Sequence, residues 1–253
     1  MRIIHTPDYA EMSRRGADLL AAQVLLAPRC VLGLATGSTP VGMYDELSAR
    51  CAAGRLSFAQ VTSVNLDEYV GLTPDHPQSY RYFMDTHLFS RVDIRREATH
   101  VPDGLAADPQ QAGAAYDKMI AELGGIDLQV LGIGNNGHIG FNEPCDEFPE
   151  CTHVVDLTES TIEANARFFA SMDDVPKQAI SMGIGTIMKA KKIILMANGK
   201  GKAPIIYDTV FGPVTPQVPA SILRFHPDVM IFVDEEAYSE IAKKCPDFKP
   251  ETL

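Results

Sequence analysis

The feature that most constrains the fold of this chain is an alternation of two kinds of segment. Short apolar runs of strand length recur along the sequence, and amphipathic stretches of helix length separate them. Parallel strands that are buried on both faces read as continuous apolar runs, so this alternation predicts a largely parallel sheet. The apolar runs are residues 31–36, 61–66, 126–134, 192–197 and 229–234.

The segments between these runs have the periodicity of helices, and several open with Ser, Thr, Asp or Pro, which favour helix starts. They predict a doubly wound, Rossmann-like α/β fold in which helices sandwich the sheet. The length suits a single domain over residues 1–253. The longest stretch without a pattern, residues 141–158, predicts a loop or lid. The predicted helices are residues 8–26, 40–53, 79–89, 109–123, 159–170 and 200–210.

Composition and charge exclude several classes of protein. The net charge of −11 argues against nonspecific nucleic-acid binding, which calls for a clustered basic face. No stretch approaches the roughly 18 consecutive apolar residues of a membrane span, and the N-terminus lacks the apolar core of a signal peptide. We therefore expect a cytoplasmic protein without a nucleic-acid or membrane partner. The five cysteines have neither a C-x-x-C pair nor zinc-like histidine spacing, which predicts reduced thiols and no metal site.

A first candidate motif is LGLATGSTP, residues 32–40. A buried strand runs into Gly37, Ser38 and Thr39, and Pro40 is placed to open a helix. Free backbone N–H groups at a helix start, with two hydroxyls beside them, suit a phosphate monoester. A capped turn between strand and helix, without a ligand, explains this motif equally well.

A second motif is NLDEYVGL, residues 65–72, in which Asp67 and Glu68 directly follow a predicted strand. Open α/β sheets bind ligands at the carboxyl ends of their strands, so one of these carboxylates could be a general base. Taken alone, the pair is better explained as two exposed acidic residues that cap the end of a strand.

The third motif, LGIGNNGHIGFNEP at residues 131–144, is the most specific. Gly132, Gly134 and Gly137 allow sharp turns and close approach of the backbone to a ligand. A histidine side chain can act as an acid and as a base in catalysis, and Glu143 is close enough in sequence to orient His138. A dinucleotide-binding fingerprint fits poorly because a long loop, and not a helix, follows the glycines.

Two basic residues complete the candidate site. Arg167 lies in EANARFF and Lys202 in NGKGKAP, each near the start or middle of a predicted helix. Either residue, taken singly, could instead be a solvated surface charge.

Together, the segments LGLATGSTP, NLDEYVGL, HPQSY, GNNGHIGFNEP, ANARFF and GKGKA resemble the glucosamine-6-phosphate deaminase (glucosamine/galactosamine-6-phosphate isomerase) family. They occur in the same order and at similar spacing, and the resemblance covers nearly the whole chain. It implies an aldose–ketose isomerising deaminase that converts glucosamine 6-phosphate and water to fructose 6-phosphate and ammonia. Such an enzyme serves amino-sugar metabolism, including N-acetylglucosamine degradation, and requires no metal or redox cofactor.

The resemblance also implies roles for individual residues. Asp67 would be the base that moves a proton between C2 and C1 of the open-chain sugar. His138 would assist ring opening, with Glu143 and Asn136 tuning it. The residues implied to bind the substrate or its phosphate are Thr36, Gly37, Ser38, Thr39, Gly137, Arg167 and Lys202.

The chain departs from the family pattern at two places. Many members have an aspartate at the position of Asn136, and an amide cannot stabilise an imidazolium by charge, so we expect Glu143 alone to supply the carboxylate. Allosterically activated, hexameric members carry a basic patch after the FNEP run, whereas residues 145–157 here are acidic. We therefore expect no activation by N-acetylglucosamine 6-phosphate, and a monomer or low-order homo-oligomer in preference to a hexamer.

Two other functions are compatible with the sequence motifs. A 6-phosphogluconolactonase resembles this fold and also has a glycine-rich loop that ends in Gly-His, although FNEP and the DEY segment favour the deaminase. A non-catalytic sugar-phosphate sensor would need an attached DNA-reading module, and the N-terminus shows no helix-turn-helix segment.

Overall fold

The computed structural model describes residues 1–158, 162, 169 and 171–251, and its strands form two sheets. The larger sheet has seven strands that all pair in parallel, in the order β1-β10-β9-β6-β2-β3-β5. It confirms the predicted parallel sheet, and each of the five apolar runs contains one of its strands. These strands are β1 (Arg2–His5), β2 (Val31–Leu34), β3 (Thr62–Asn65), β5 (Thr99–His100), β6 (Leu128–Leu131), β9 (Ile193–Ala197) and β10 (Val229–Val233).

Helices alternate with these strands, as the periodicity predicts. Four of them begin after an acidic or hydroxyl residue whose side chain accepts a backbone N–H of the first turn: Asp8, Ser79, Asp108 and Asp234. Five predicted helices are confirmed, and the sixth, at residues 159–170, falls almost wholly outside the described residues. The helices are α1 (Tyr9–Leu26), α2 (Val41–Ala52), α3 (Tyr80–His87), α4 (Pro109–Glu122), α5 (Ile184–Met188), α6 (Ala203–Phe211) and α7 (Glu235–Lys244).

A second, three-stranded sheet is antiparallel and was not predicted. It contains β4 (Asp67–Tyr69), β8 (Gln178–Ser181) and β7 (His153–Asp156), in that order. Strand β7 corrects the prediction of a continuous loop over residues 141–158. Three of its residues are partly buried and Asp156 is exposed, so the segment has no buried apolar run, and pairing with β8 makes it a strand.

Two apolar clusters stabilise these layers. The larger one joins the central sheet to its flanking helices, and every residue of β9 and β10 is buried in it. The smaller one surrounds Tyr69, Phe141, Leu157 and Ala179, beneath the three-stranded sheet. None of the helices in the described part of the chain has the length and apolar character that crossing a membrane would need.

Candidate active site

A cavity of about 240 Å³ opens at the carboxyl edge of the central sheet. Since parallel strands end at the same edge, the segments after β2, β3, β6 and β9 meet there. The residues that line the cavity are Ala35, Thr36, Gly37, Ser38, Thr39, Leu66, Asp67, Tyr80, Gly132, Ile133, Gly134, His138, Gly140, Phe141 and Lys202. The three predicted motifs therefore contribute to one site.

The loop after β2 offers free hydrogen-bond donors. Gly37 has a φ of +96°, and no described residue accepts the backbone N–H of Gly37, Ser38 or Thr39. The loop is held from outside by Tyr9, whose hydroxyl donates to the Ser38 carbonyl at 3.1 Å and accepts the Gly42 N–H at 2.8 Å. An anchored loop with unoccupied N–H groups is suited to bind a phosphate.

Lys202 provides the cation of the same wall. It ends a short turn, Lys200–Lys202, and directly precedes α6. Its pKa is lowered by burial, which disfavours an ammonium without a counter-ion. The preceding turn is fixed because Asp234 accepts the Gly199 N–H at 3.0 Å. A bound phosphate dianion would supply a counter-ion for the Lys202 ammonium.

Asp67 and Glu68 are adjacent in β4, so their side chains point to opposite faces of the strand. Both are buried, and only Asp67 lines the cavity. No described residue donates a hydrogen bond to the Asp67 carboxylate. Burial, and secondly the charge of Glu68, raises the pKa of Asp67 to about 8. The structure thus identifies which of the two carboxylates faces a ligand.

His138 is positioned by two glycine turns. The Gly134 N–H donates to the His138 carbonyl at 2.9 Å, and a Cβ on Gly134 would lie 2.3 Å from His138 Cε1. His138 Nδ1 lies 3.3 Å from Glu143 Oε1, which is within the distance of an ion pair when the imidazole is protonated. The predicted link between His138 and Glu143 is therefore present.

Asn136 acts on Glu143 and on the backbone, and not on the imidazole. Its amide donates to Glu143 Oε2 at 2.5 Å, and its carbonyl oxygen accepts the His138 backbone N–H at 3.2 Å. These contacts fix one oxygen of Glu143 and leave the other toward the ring. Of these two residues, Glu143 is therefore the one whose side chain lies next to the His138 ring.

The remaining predicted site residues divide into two groups. The cavity that contains Asp67 and His138 is also lined by Thr36, Ser38, Thr39 and Lys202. Gly137 does not line it: with a φ of +90° and a Cβ that would lie 3.0 Å from Val218, it is a turn residue. Arg167 lies outside the described residues.

The sequence reasoning missed the aromatic and backbone part of the wall. Tyr80, the first residue of α3, and Phe141 line the cavity with their rings stacked at 5.9 Å. Gly140 is also required here, because a Cβ would lie 3.0 Å from Ser181 Oγ and 3.6 Å from Asp67 Oδ2. Tyr80 lies in the segment HPQSY, which pointed to the site only through the family resemblance. No periodicity in the sequence indicates that α3 begins next to β4.

The family model for glucosamine-6-phosphate isomerases/6-phosphogluconolactonase matches residues 7–231 of this chain. The chain belongs to this family. The residues that line the cavity, from Ala35 to Lys202, all lie within the matched range.

Curated members of the isomerase/lactonase family resemble this chain over nearly its full length. The glucosamine-6-phosphate deaminase of Clostridium perfringens (strain 13 / Type A) is 55% identical over 237 residues, which are 94% of this chain and 98% of that protein. The enzyme of the same name from Clostridioides difficile (strain 630) is 53% identical over 249 residues, 98% and 99% of the two chains.

Solved structures of the family separate its two activities. One described as a monomeric glucosamine-6-phosphate deaminase superposes with a TM-score of 0.92 at 43% identity, covering 95% of this chain and all of the other. The 6-phosphogluconolactonase from Trypanosoma cruzi superposes with a TM-score of 0.74 at 20% identity, covering 95% and 96%. The lactonase therefore shares the fold, and the deaminases share the sequence as well.

Proposed function

We propose that this chain converts glucosamine 6-phosphate and water to fructose 6-phosphate and ammonia. The observation that carries the proposal is that one cavity combines a loop of free N–H groups with a buried carboxylate, Asp67, that has no described hydrogen-bond donor. Deaminases of that name that are 53–55% identical over almost the whole chain support it. The chain is thus an enzyme of amino-sugar metabolism that serves N-acetylglucosamine degradation.

The phosphate of the substrate binds at the loop after β2. The N–H groups of Gly37, Ser38 and Thr39 and the Ser38 hydroxyl donate to its oxygens, and the Lys202 ammonium neutralises part of its charge. Arg167 is a further proposed ligand. Binding this distal group uses energy remote from the reacting carbons to align them with Asp67.

Ring opening falls to His138. The imidazole takes the proton of the anomeric hydroxyl and returns one to the ring oxygen, which breaks the C1–O5 bond and forms the C1 aldehyde. Glu143, 3.3 Å from Nδ1, stabilises the imidazolium between the two transfers, and Asn136 holds Glu143. Both transfers occur in one cavity that also contains Asp67.

Asp67 then carries out the isomerisation. Its carboxylate removes the C2 proton, and the C–H electron pair forms the C1–C2 double bond of an enolamine. The carbonyl oxygen becomes a hydroxyl by taking a proton from the ammonium group that the substrate carries at C2. The protonated Asp67 returns its proton to C1, which leaves an imine at C2. Water adds at C2 and ammonia leaves, giving the ketone of fructose 6-phosphate. The raised pKa of Asp67, about 8, suits a group that must both accept and return a proton near neutral pH.

The two alternatives are less well supported. A lactonase hydrolyses an ester and needs no base that returns a proton to carbon, and the lactonase structures are 17–20% identical to this chain and show the fold alone. A sensor needs only to bind its ligand, which gives no reason to bury a carboxylate without donors beside a histidine–glutamate pair.

The test is ammonia release from glucosamine 6-phosphate by the purified protein without added metal. We expect release by the wild type, and no acceleration of 6-phosphogluconolactone hydrolysis in a parallel assay. Lactone hydrolysis without ammonia release would replace the proposal by the lactonase. Binding of the sugar phosphate with neither reaction would replace it by the sensor.

The proposal includes the wider organisation expected from the sequence. It places the enzyme in the cytoplasm as a single domain over residues 1–253, with the part of residues 141–158 outside β7 as a lid. It also makes the enzyme a monomer or low-order oligomer, which the likeness to a deaminase described as monomeric supports. Size-exclusion chromatography with light scattering measures the oligomeric state, and a hexamer would contradict this part.

A further inference from the structure

Glu68 is a buried charged residue that the proposed reaction does not use. Its side chain is 4% exposed and projects from the face of β4 opposite to Asp67. It borders a separate cavity together with Arg81 and His100, and it does not line the substrate cavity. Burying a carboxylate is costly unless it is paired or hydrogen-bonded, so its surroundings need an explanation.

Four donors surround the Glu68 carboxylate. Oε1 accepts the backbone N–H groups of Tyr69 and Tyr80, and Oε2 accepts the Arg81 N–H and the Ser79 hydroxyl, all at 2.9 Å. Three of these donors belong to the cap and first turn of α3, whose N-terminus favours a negative charge. A proton on either oxygen would meet a donor already in place. The site is therefore built for the ionised carboxylate.

Asp67, one residue earlier, has the opposite surroundings. It is 6% exposed, and no described residue donates to its carboxylate. Burial is the first cause of its raised pKa, and the charge of Glu68 is the second. Burial also raises the pKa of Glu68 above its usual value, and its four hydrogen bonds offset part of that rise. Hydrogen bonds to the ionised form thus favour the ionisation of Glu68 over that of Asp67, although the two side chains have similar burial.

The contacts of Glu68 also shape the substrate cavity. Tyr80, whose N–H it accepts, is the first residue of α3 and lines the cavity beside Asp67. The Tyr80 ring stacks on Phe141 at 5.9 Å, and its hydroxyl lies 3.4 Å from that of Tyr69. By holding the start of α3 against β4, Glu68 fixes the wall that faces the base.

The other titratable groups around the pair come from four elements. Tyr80 of α3 and Tyr116 of α4 interact with the Asp67 charge, and burial raises the pKa of both, so they stay neutral. His138, after β6, and Lys202, before α6, line the same cavity as Asp67. Among these groups, Glu68 is the one whose charge raises the pKa of Asp67.

We propose that Glu68 is a positioning residue that sets how strongly Asp67 holds a proton, by keeping a hydrogen-bonded carboxylate behind it while anchoring α3. The role rests on the proposed function of Asp67 as the proton carrier. A base that took the C2 proton too weakly would not form the enolamine, and Glu68 makes the protonated state of Asp67 more stable. Because Glu68 touches no reacting atom, it acts only through Asp67 and Tyr80.

The test uses three variants. Glu68→Gln keeps the shape and removes the charge, Glu68→Asp keeps the charge and shortens the reach, and Ser79→Ala removes one donor while it leaves both carboxylates. The direct measurement is the titration of the Asp67 side-chain carboxyl by NMR with 13C-labelled aspartate, assigned by comparison with Asp67→Asn. We expect its midpoint to fall by about one pH unit in Glu68→Gln, and to stay unchanged in Glu68→Asp and Ser79→Ala.

Kinetics give the second measurement. The acidic limb of kcat/KM for glucosamine 6-phosphate reports the free base, so in Glu68→Gln it should move to lower pH, and kcat at the optimum should fall about tenfold because the base is weaker. A purely structural role would lower activity in Ser79→Ala and Glu68→Gln alike without displacing the limb. The substrate ionises in the same way in the assay of every variant, so it cannot cause a difference between their pH profiles.

The NMR titration does not depend on turnover, so it separates this inference from the proposed reaction. An Asp67 midpoint that stays in place in folded Glu68→Gln overturns the inference even if the enzyme is active. If Glu68→Gln does not fold, the wild type decides with 13C-labelled glutamate: Glu68 must lose its proton at lower pH than Asp67, and the reverse order overturns the proposal. If the Asp67 midpoint shifts as expected but the wild type releases no ammonia, the proposed reaction is rejected and the inference about Glu68 stands.

Discussion

The two walls of the cavity are built in different ways. The phosphate wall, around Gly37, Ser38 and Lys202, consists of loops at the end of the parallel sheet, and the first two of these residues are exposed. The proton-transfer wall is strand β4 of the antiparallel sheet, where Asp67 is 6% exposed. Binding an anion requires open donors, whereas a proton carrier requires that donors and water be kept away. Variants should therefore separate the two walls into effects on KM and effects on kcat.

The largest expected effect is that of Asp67→Asn. An amide cannot accept a proton from carbon, so we expect kcat for ammonia release to fall at least about 1,000-fold. Binding of glucosamine 6-phosphate, measured by calorimetry, should change less than about threefold because the phosphate wall is intact. Asp45→Asn, at a side chain that is 53% exposed, is the matched control and should behave as wild type. A parallel loss of binding in Asp67→Asn would contradict the separation of the walls.

The next effect compares Glu143 with Asn136. Glu143→Gln removes the charge 3.3 Å from His138 Nδ1, and we expect kcat to fall about 100-fold. Asn136→Ala removes a contact to Glu143 and leaves the charge, and we expect a loss of about fivefold. Steady-state kinetics measure both. Comparable losses in the two variants would mean that Asn136 is as essential as the carboxylate.

On the phosphate wall, Lys202→Met should raise KM about tenfold, with kcat reduced less than threefold. The substitution keeps the apolar stem and removes the ammonium that faces the phosphate. Lys200→Met is the matched control, because Lys200 is exposed and outside the cavity, and its KM should be unchanged. A loss confined to kcat would place Lys202 in the chemistry instead.

Ionisation of the buried Asp67 carboxyl should also lower the free energy of unfolding at high pH. The folded-state pKa of Asp67, about 8, exceeds the unfolded value, so folded protein holds the proton more tightly. The resulting stabilisation is complete below about pH 4 and is lost as the pH rises to about 8. Asp67→Asn should therefore unfold at least about 4 °C above wild type at pH 8.5, with a smaller gap at pH 5, as measured by calorimetry. Equal gaps at both pH values would contradict the shifted pKa.

The smallest expected effect is that of N-acetylglucosamine 6-phosphate. Residues 145–157 include four acidic residues and no Lys or Arg, so this surface repels a phosphorylated activator. We expect hyperbolic dependence of rate on substrate, unchanged by that compound except for competition at the cavity. A sigmoidal curve that the compound straightens would show an activator site elsewhere.

The sequence predicted the phosphate wall better than the proton-transfer wall, for a physical reason. Strands β2, β3 and β6 are buried on both faces and therefore read as apolar runs, and their carboxyl ends had to meet at one edge. Strands β4, β7 and β8 have three or four residues each and are rich in polar side chains. Such segments become strands only through pairing: Asp67 pairs with Ser181, 114 positions away.

The amino-acid sequence by itself determined the order of strands and helices, the glycine turns that bring His138 to Glu143, and the family to which the motifs point. Only the tertiary structure decided which of two adjacent carboxylates faces the substrate and which one caps α3. In a strand, neighbouring side chains point to opposite faces, and the assignment of those faces depends on what packs against each of them. Asp67 lines a cavity and has no described donor to its carboxylate. Glu68 accepts three hydrogen bonds from the cap and first turn of α3, and a fourth from the Tyr69 N–H of its own strand.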